Sequence, residues 1–275
     1  MPVVAVVNRK GGSGKSTVAA HLAAWCARQQ LAVMLGDVDR QQSSRTWLRR
    51  RDPSLPLIAP WAMDHKNALR VPTGITHVVL DTPGGLHGFD LARVVMFADA
   101  ILMPVCGSVF DRESAAACHA ELMTLPRVAS GRCKLATVGM RIDARTKAGE
   151  TVRTWSEGLG LPFLGVLRET QLYVRSLEQG LTLFDLPEAD VSRDLAQWAP
   201  IIDWVKPVFT PEAAASAAVH VAASRSAHLM PQQDSLVHGT RLANGSSPRG
   251  QLGHGAAAMA RPVRDLRVVP ELLKP

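Results

Sequence analysis

Lys10-Gly11-Gly12-Ser13-Gly14-Lys15-Ser16-Thr17 lies between Val3-Val4-Ala5-Val6-Val7, a continuous apolar run, and Val18-Ala19-Ala20-His21-Leu22-Ala23-Ala24-Trp25, a run of good helix formers. A glycine-rich turn from a buried strand into a helix aims backbone N–H groups at one point, where the helix dipole also favours an anion. Gly11, Gly12 and Gly14 let the backbone approach phosphate oxygens, and Ser13 and Thr17 complete the cradle. Lys15 can reach β- and γ-phosphates, and the Ser16 hydroxyl is placed to coordinate Mg²⁺. A glycine-rich turn with a chance lysine is the plainer alternative, and the strand and helix that flank the turn argue against it. The expected ligands are ATP and Mg²⁺.

Working outward, apolar runs alternate with helix-length segments as far as Phe209, which implies βαβ units. Strands are expected at Val3–Asn8, Ala32–Asp37, His77–Asp81, Ala100–Val105, Leu135–Met140 and Phe163–Val166; Leu55–Ile58 is ambiguous. Their unbroken apolar character suits strands covered on both faces. The expected fold is α/β: a P-loop NTPase with a mostly parallel, doubly wound sheet flanked by helices. It should occupy residues 1–209. Composition then shifts to Ala, Ser, Gly, His and Gln, and 210–275 reads as a largely disordered tail, because such residues bury too little apolar surface to offset ordering entropy. Val263–Leu273 could be a short partner-binding motif, with Pro262 and Pro270 interrupting any membrane-surface helix.

The net charge of +7 leaves room for an acidic partner such as nucleic acid. No run of about 18 apolar residues offers a membrane span, and the N-terminus reads as a first strand, not a signal peptide. Cys26, Cys106, Cys118 and Cys133 show neither CxxC spacing nor a disulfide rhythm, so a reducing cytoplasm is expected.

One departure from the common G-x-x-x-x-G-K-[ST] pattern is informative. Arg9 stands at the first glycine, and Lys10 follows at the loop entrance. The form K-G-G-x-G-K-[ST] resembles the ParA/MinD family of ATPases. That resemblance implies that Lys10 reaches across an ATP-dependent homodimer to the partner's nucleotide, so that two copies enclose two ATPs. A second lysine beside the phosphates makes sense as a charge clamp on transition-state oxygens; otherwise Lys10 is a solvated charge at a loop edge.

Phosphoryl transfer with a metal also needs carboxylates, which an open α/β sheet supplies at strand ends. Gly36-Asp37-Val38-Asp39-Arg40-Gln41 resembles the family's D-x-D-P-Q segment, with Arg40 where proline is usual. By that resemblance Asp39 orients the attacking water and Asp37 supports the magnesium shell. Leu80-Asp81-Thr82-Pro83-Gly84 resembles the Walker B region, which implies that Asp81 holds a magnesium-bound water and Gly84 approaches the γ-phosphate. Asp111 is a plausible helix cap. Arg168–Gly180 resembles the C-terminal part of small, ParF-like partition ATPases, where adenine contacts and dimer surface fall; Tyr173 suits either a place under the nucleotide or the core.

The resemblance implies a partition or positioning ATPase that binds DNA nonspecifically, is stimulated by a ParB-like adaptor, and sits in the cytoplasm on the nucleoid when ATP-bound. No helix-turn-helix precedes the loop, unlike the larger operon-repressing relatives. Arg141, Arg145, Lys147, Arg153, Arg168 and Arg175 are candidates for tracking phosphates, or are simply scattered solvated charges. A MinD-like membrane-associated regulator is the alternative, although the tail lacks an amphipathic basic helix. An iron–sulfur reductase needs two cysteines per subunit, and Cys106 has no companion near Gly85-Leu86-His87. A monomeric small-molecule kinase would leave Lys10 without a role.

Overall fold

The computed structural model describes residues 1–39, 41–62, 71–143 and 145–210; the readings made on Arg40 and on 211–275 lie outside the described residues. Strand β1 (Val3–Val6) leads into α1 (Lys15–Arg28), β2 (Val33–Asp37), α2 (Ser43–Leu48), β3 (Ile58–Ala62) and β4 (His77–Asp81). There follow α3 (Gly88–Phe97), β5 (Ala100–Val105), α4 (Val109–Thr124), the short α5 (Pro126–Ala129) and β6 (Lys134–Ile142). The described chain closes with α6 (Ala148–Gly158), β7 (Phe163–Arg168), α7 (Gln171–Glu178), a 3-10 turn at Leu183–Asp185 and α8 (Glu188–Phe209). The sheet has seven strands in the order β3-β2-β4-β1-β5-β6-β7. Each pairing is parallel. The chain winds one way from β1 through β2 to β3 and the other way through β5 to β7. The strand order thus reverses around β1, where α/β sheets place their ligands.

Alternation along the strands explains the unbroken apolar runs. Val4 and Val6 enter one core with α1, Trp47 of α2, Tyr173 of α7 and the inner face of α8. Val3, Ala5 and Val7 enter a second core with Leu91, Cys118, Val128 and Val152 from α3 to α6. Helices thus cover both faces, and the central strands β1, β2, β4 and β5 are buried along their whole length.

Several strand boundaries differ from expectation, most at β3, β6 and β7. Leu55–Ile58 contributes only its last residue to β3, which runs on through Pro60 to Ala62. Proline removes a ladder donor, and β3 tolerates it because it is an edge strand with β2 as its one neighbour. At the opposite side β6 and β7 extend further than their apolar runs, to Ile142 and Arg168. Arg168 is held there by a two-pronged ion pair with the buried Asp194 of α8, at 2.7 and 2.9 Å.

Helix α1 carries a buried histidine one turn beyond the glycine-rich loop. His21 Nδ1 donates to the Thr17 carbonyl at 2.8 Å, and its Nε2 accepts the Leu183 N–H at 3.2 Å. Its ring stacks on Trp198 at 5.3 Å and meets Tyr173 edge-on at 5.1 Å. The Tyr173 hydroxyl accepts the Trp198 indole N–H at 3.0 Å. This aromatic group ties the phosphate-loop helix to α7 and α8, and burial pushes His21 down to about 4.

Candidate functional site

After β1 the chain turns on Asn8, a buried amide that donates to the Pro104 carbonyl at 2.7 Å and accepts the Lys10 N–H at 3.0 Å. Gly12 and Gly14 adopt φ of 74° and 92°, the left-handed region in which a side chain is strained. Gly14 caps α1, and a Cβ there would lie 2.5 Å from Met140 Cε. Lys15 is buried, and its ammonium donates to the Lys10 carbonyl at 2.9 Å. Burial pushes that ammonium down, against the pull of the Asp81 and Asp39 carboxylates. The buried Ser13 hydroxyl finds no hydrogen-bond partner among the described residues.

Asp37 and Asp81 end neighbouring strands in register with each other, and Asp81 is also level with Val6 of β1. Asp37 accepts the Asp39 N–H at 3.0 Å on one oxygen and the Arg45 N–H at 3.1 Å on the other. It therefore organises the Asp39–Arg45 segment and the first turn of α2. Burial pushes its carboxyl up. Asp81 accepts the Ser44 hydroxyl on Oδ2, while Oδ1 is buried without a partner among the described residues. Burial pushes Asp81 up to about 6, against the pull of the nearby Ser44 and Ser16 hydroxyls. An unpartnered buried carboxylate oxygen beside two serine hydroxyls is an all-oxygen donor set, which fits a hard cation such as Mg²⁺. Asp39 is partly exposed on a cleft of about 580 Å³ with Gln42, Gly84, Gly85 and His87.

The Gly84 end of that cleft is pressed onto the phosphate loop. A Cβ on Gly84 would sit 3.1 Å from Gly11 Cα, and the Gly85 N–H donates to the Arg9 carbonyl at 2.5 Å. Lys10 pairs with Asp111 at 2.5 Å. Asp111 was expected to cap α4, but Ser108 does so, with its hydroxyl accepting the Asp111 N–H at 3.2 Å. The hydroxyl sits at the N-cap proper, and Asp111 lies one turn inside the helix, where one carboxylate oxygen accepts the Ser108 hydroxyl and the other pairs with Lys10. Burial alone would raise Asp111, yet the Lys10 ammonium and Ser108 hydroxyl hold it below the usual carboxylate range.

On the α7 side Thr17, Met140, Arg141, Thr170 and Tyr173 line a smaller cleft of about 300 Å³. Tyr173 thus belongs to the core and also edges this cleft. The six basic residues do not form one free surface. Arg168 is committed to Asp194, Arg153 lies over the Phe163 ring at 5.0 Å, and Arg145 pairs with Asp143 while remaining 89% exposed. Arg145 shares a cleft with Arg193, which sequence reasoning did not single out. Ser44 and Ser108 were missed as well. Ser44 follows the D-x-D segment closely enough to have been found, whereas nothing local marks Ser108 against Asp111.

The match to known proteins runs along the same segments. Residues 4–184 match the CobQ/CobB/MinD/ParA nucleotide binding domain, and the chain belongs to that family. It is 33% identical over 186 residues to the Maintenance of carboxysome distribution protein A of Gloeobacter kilaueensis, covering 66% of this chain and 83% of that one. The fold is similar to that of a McdA variant from Cyanothece in complex with ATP, with TM-score 0.59 at 15% identity over 73% of this chain and 96% of that one. It is also similar to a putative plasmid partition protein of Borrelia burgdorferi bound to AMPPNP, with TM-score 0.56 at 16% identity over 74% and 98%.

Proposed function

We propose that this chain is an ATP-hydrolysing positioning ATPase that works as a nucleotide-sandwich dimer, carries cargo with a ParB-like adaptor, and binds DNA nonspecifically. The observation that carries the reading is Lys10. Its ammonium is not part of the Lys15 grip and rests on Asp111 at the edge of the phosphate loop, 38% exposed, where it can exchange that carboxylate for a partner copy's phosphate. Lys15, Ser13, Thr17 and the glycines bind phosphate, and Ser16 and Asp81 hold magnesium with Asp37 bracing the adjoining segment. Asp39 positions water. Mg²⁺ supplies charge neutralisation to the phosphates when bound.

The name of the Gloeobacter relative supports a protein-organelle cargo, and that of the Borrelia neighbour supports a plasmid. The cytoplasm is the proposed location, with the nucleoid as the ATP-state surface. Among the described residues no helix is long and apolar enough to cross a membrane. The MinD-like alternative rests on residues after Thr210.

The test is light-scattering mass in ADP and in a non-hydrolysable ATP analogue. Wild type should double in mass only with the analogue, Lys10→Ala should stay monomeric, and Asp39→Ala should double with ATP itself and stay doubled. A mass indifferent to nucleotide would remove the dimer from the proposal, and normal hydrolysis by Asp39→Ala would remove its water-positioning role.

A further inference from the structure

Arg9 occupies a position where most phosphate loops carry glycine, and its side chain does not face the cradle. It pairs with Glu121 of α4, whose carboxylate also reaches a third element. Glu121 Oε1 accepts the Gly88 N–H at 2.5 Å, at the start of α3. Arg9 itself accepts the Gly85 N–H on its carbonyl. The segment Gly84–Gly88 is therefore fastened at its beginning by close packing on Gly11, near its middle by the Arg9 carbonyl, and at its end by Glu121. Arg9 takes part through both its backbone and its side chain.

We infer that Arg9 and Glu121 are positioning residues that hold Gly84–Gly88 ready for the terminal phosphate of ATP. The inference rests on the nucleotide reading proposed above. The segment begins three residues after Asp81 and shares the Asp39 cleft, which in that reading is where ATP and ADP differ. Four of its five residues are exposed and two are glycines in the left-handed region; beyond these ties its one buried anchor is the Leu86 side chain in the second core. A segment already ordered does not lose that freedom again when a phosphate binds, whereas a loosened one must be ordered at the expense of affinity. The ties thereby act on discrimination between the two nucleotides and leave the β-phosphate grip of Lys15 alone. The charge pair is half of the device and the Gly88 bond the other half, which makes them separable: Glu121→Gln keeps an acceptor for Gly88 and drops the charge offered to Arg9.

The experiment has two readouts on the full chain. Hydrogen exchange without nucleotide should rise about tenfold at Gly84–Gly88 in Arg9→Ala and Glu121→Ala, with Glu121→Gln between them and wild type. Affinity for a non-hydrolysable ATP analogue should fall about tenfold in the alanine variants while ADP affinity stays within about twofold. Unchanged exchange in both alanine variants overturns the inference. Equal weakening of ADP and analogue also overturns it, since that marks a general loss of structure. If wild type itself binds neither nucleotide, the functional reading fails, and the exchange data still decide whether the ties hold the segment.

Discussion

Acidification should strip stability from the fold through His21, and the amount follows from its surroundings. The ring is fully buried, gives its Nδ1 proton to the Thr17 carbonyl and uses Nε2 to accept the Leu183 N–H, so a second proton would face a donor. Burial lowers the folded value to about 4 from the ordinary 6.5. The unfolded chain then takes up a proton between those two values that the folded chain refuses. Stability is complete above pH 6.5 and is lost as pH falls toward 4, by about 2 kcal/mol at pH 5 and about 3 kcal/mol at the limit. Asp81 and Asp37 run the other way, because a buried carboxyl with a raised folded value binds its proton more readily in the folded state. Raw acid melting mixes these effects, and His21→Gln separates them. The amide can still donate to Thr17 and accept from Leu183 but does not titrate. Urea unfolding of both proteins at several pH values is the assay. The midpoint difference between wild type and His21→Gln should move against wild type by roughly 0.7–1 M between pH 7.5 and 5, for an m-value of about 2–3 kcal/mol per molar. A difference that stays flat across that range would refute a neutral, buried His21.

Two further outcomes are open to direct measurement. Gly180 has a φ of 75°, and a Cβ there would lie 2.3 Å from the Arg50 carbonyl oxygen, so Gly180→Ala should destabilise by about 2–4 kcal/mol in a urea melt; a change under about 0.5 kcal/mol would show that the Arg50 loop yields freely. Reversing Arg145 and Arg193 together to glutamate should weaken nonspecific duplex DNA binding at low salt more than tenfold, by about 1.4 kcal/mol or more, and flatten its salt dependence. Unaltered binding would move the phosphate-tracking surface elsewhere.

The sheet and the phosphate loop were legible because their signals are local. A strand buried on both faces must be apolar throughout, and a backbone that wraps phosphate must be rich in glycine, so β1, β4, β5 and the Lys10–Thr17 segment could be read from neighbours alone. Asp37 and Asp81 were legible for a related reason, since parallel strands of similar length end at one edge of the sheet. The device joining Arg9, Glu121 and Gly88 could not be read, because its members come from three elements and only the packing of α3 and α4 brings them together. The same holds for Lys10 and Asp111, each noticed singly but paired only by the fold. Arg168 illustrates the reverse error. It reads as a surface charge until Asp194, on the opposite helix, claims it. β3 was blurred by Pro60, which is informative only once a strand is known to lie at an edge.

The end of α8 has a geometric meaning for anything attached beyond it. The Phe209 carbonyl accepts a hydrogen bond from His77 Nε2 at 3.0 Å, and its ring meets the His77 ring edge-on at 5.3 Å. His77 opens β4 and Asp81 closes it, so α8 ends at the side of the sheet opposite Asp81 and the glycine-rich loop. A fluorescent protein or a surface tether joined after Thr210 would hang from the back of the domain. The edge that carries Asp81 and the glycine-rich loop would stay clear, and imaging or immobilised-binding experiments could be done without obstructing it.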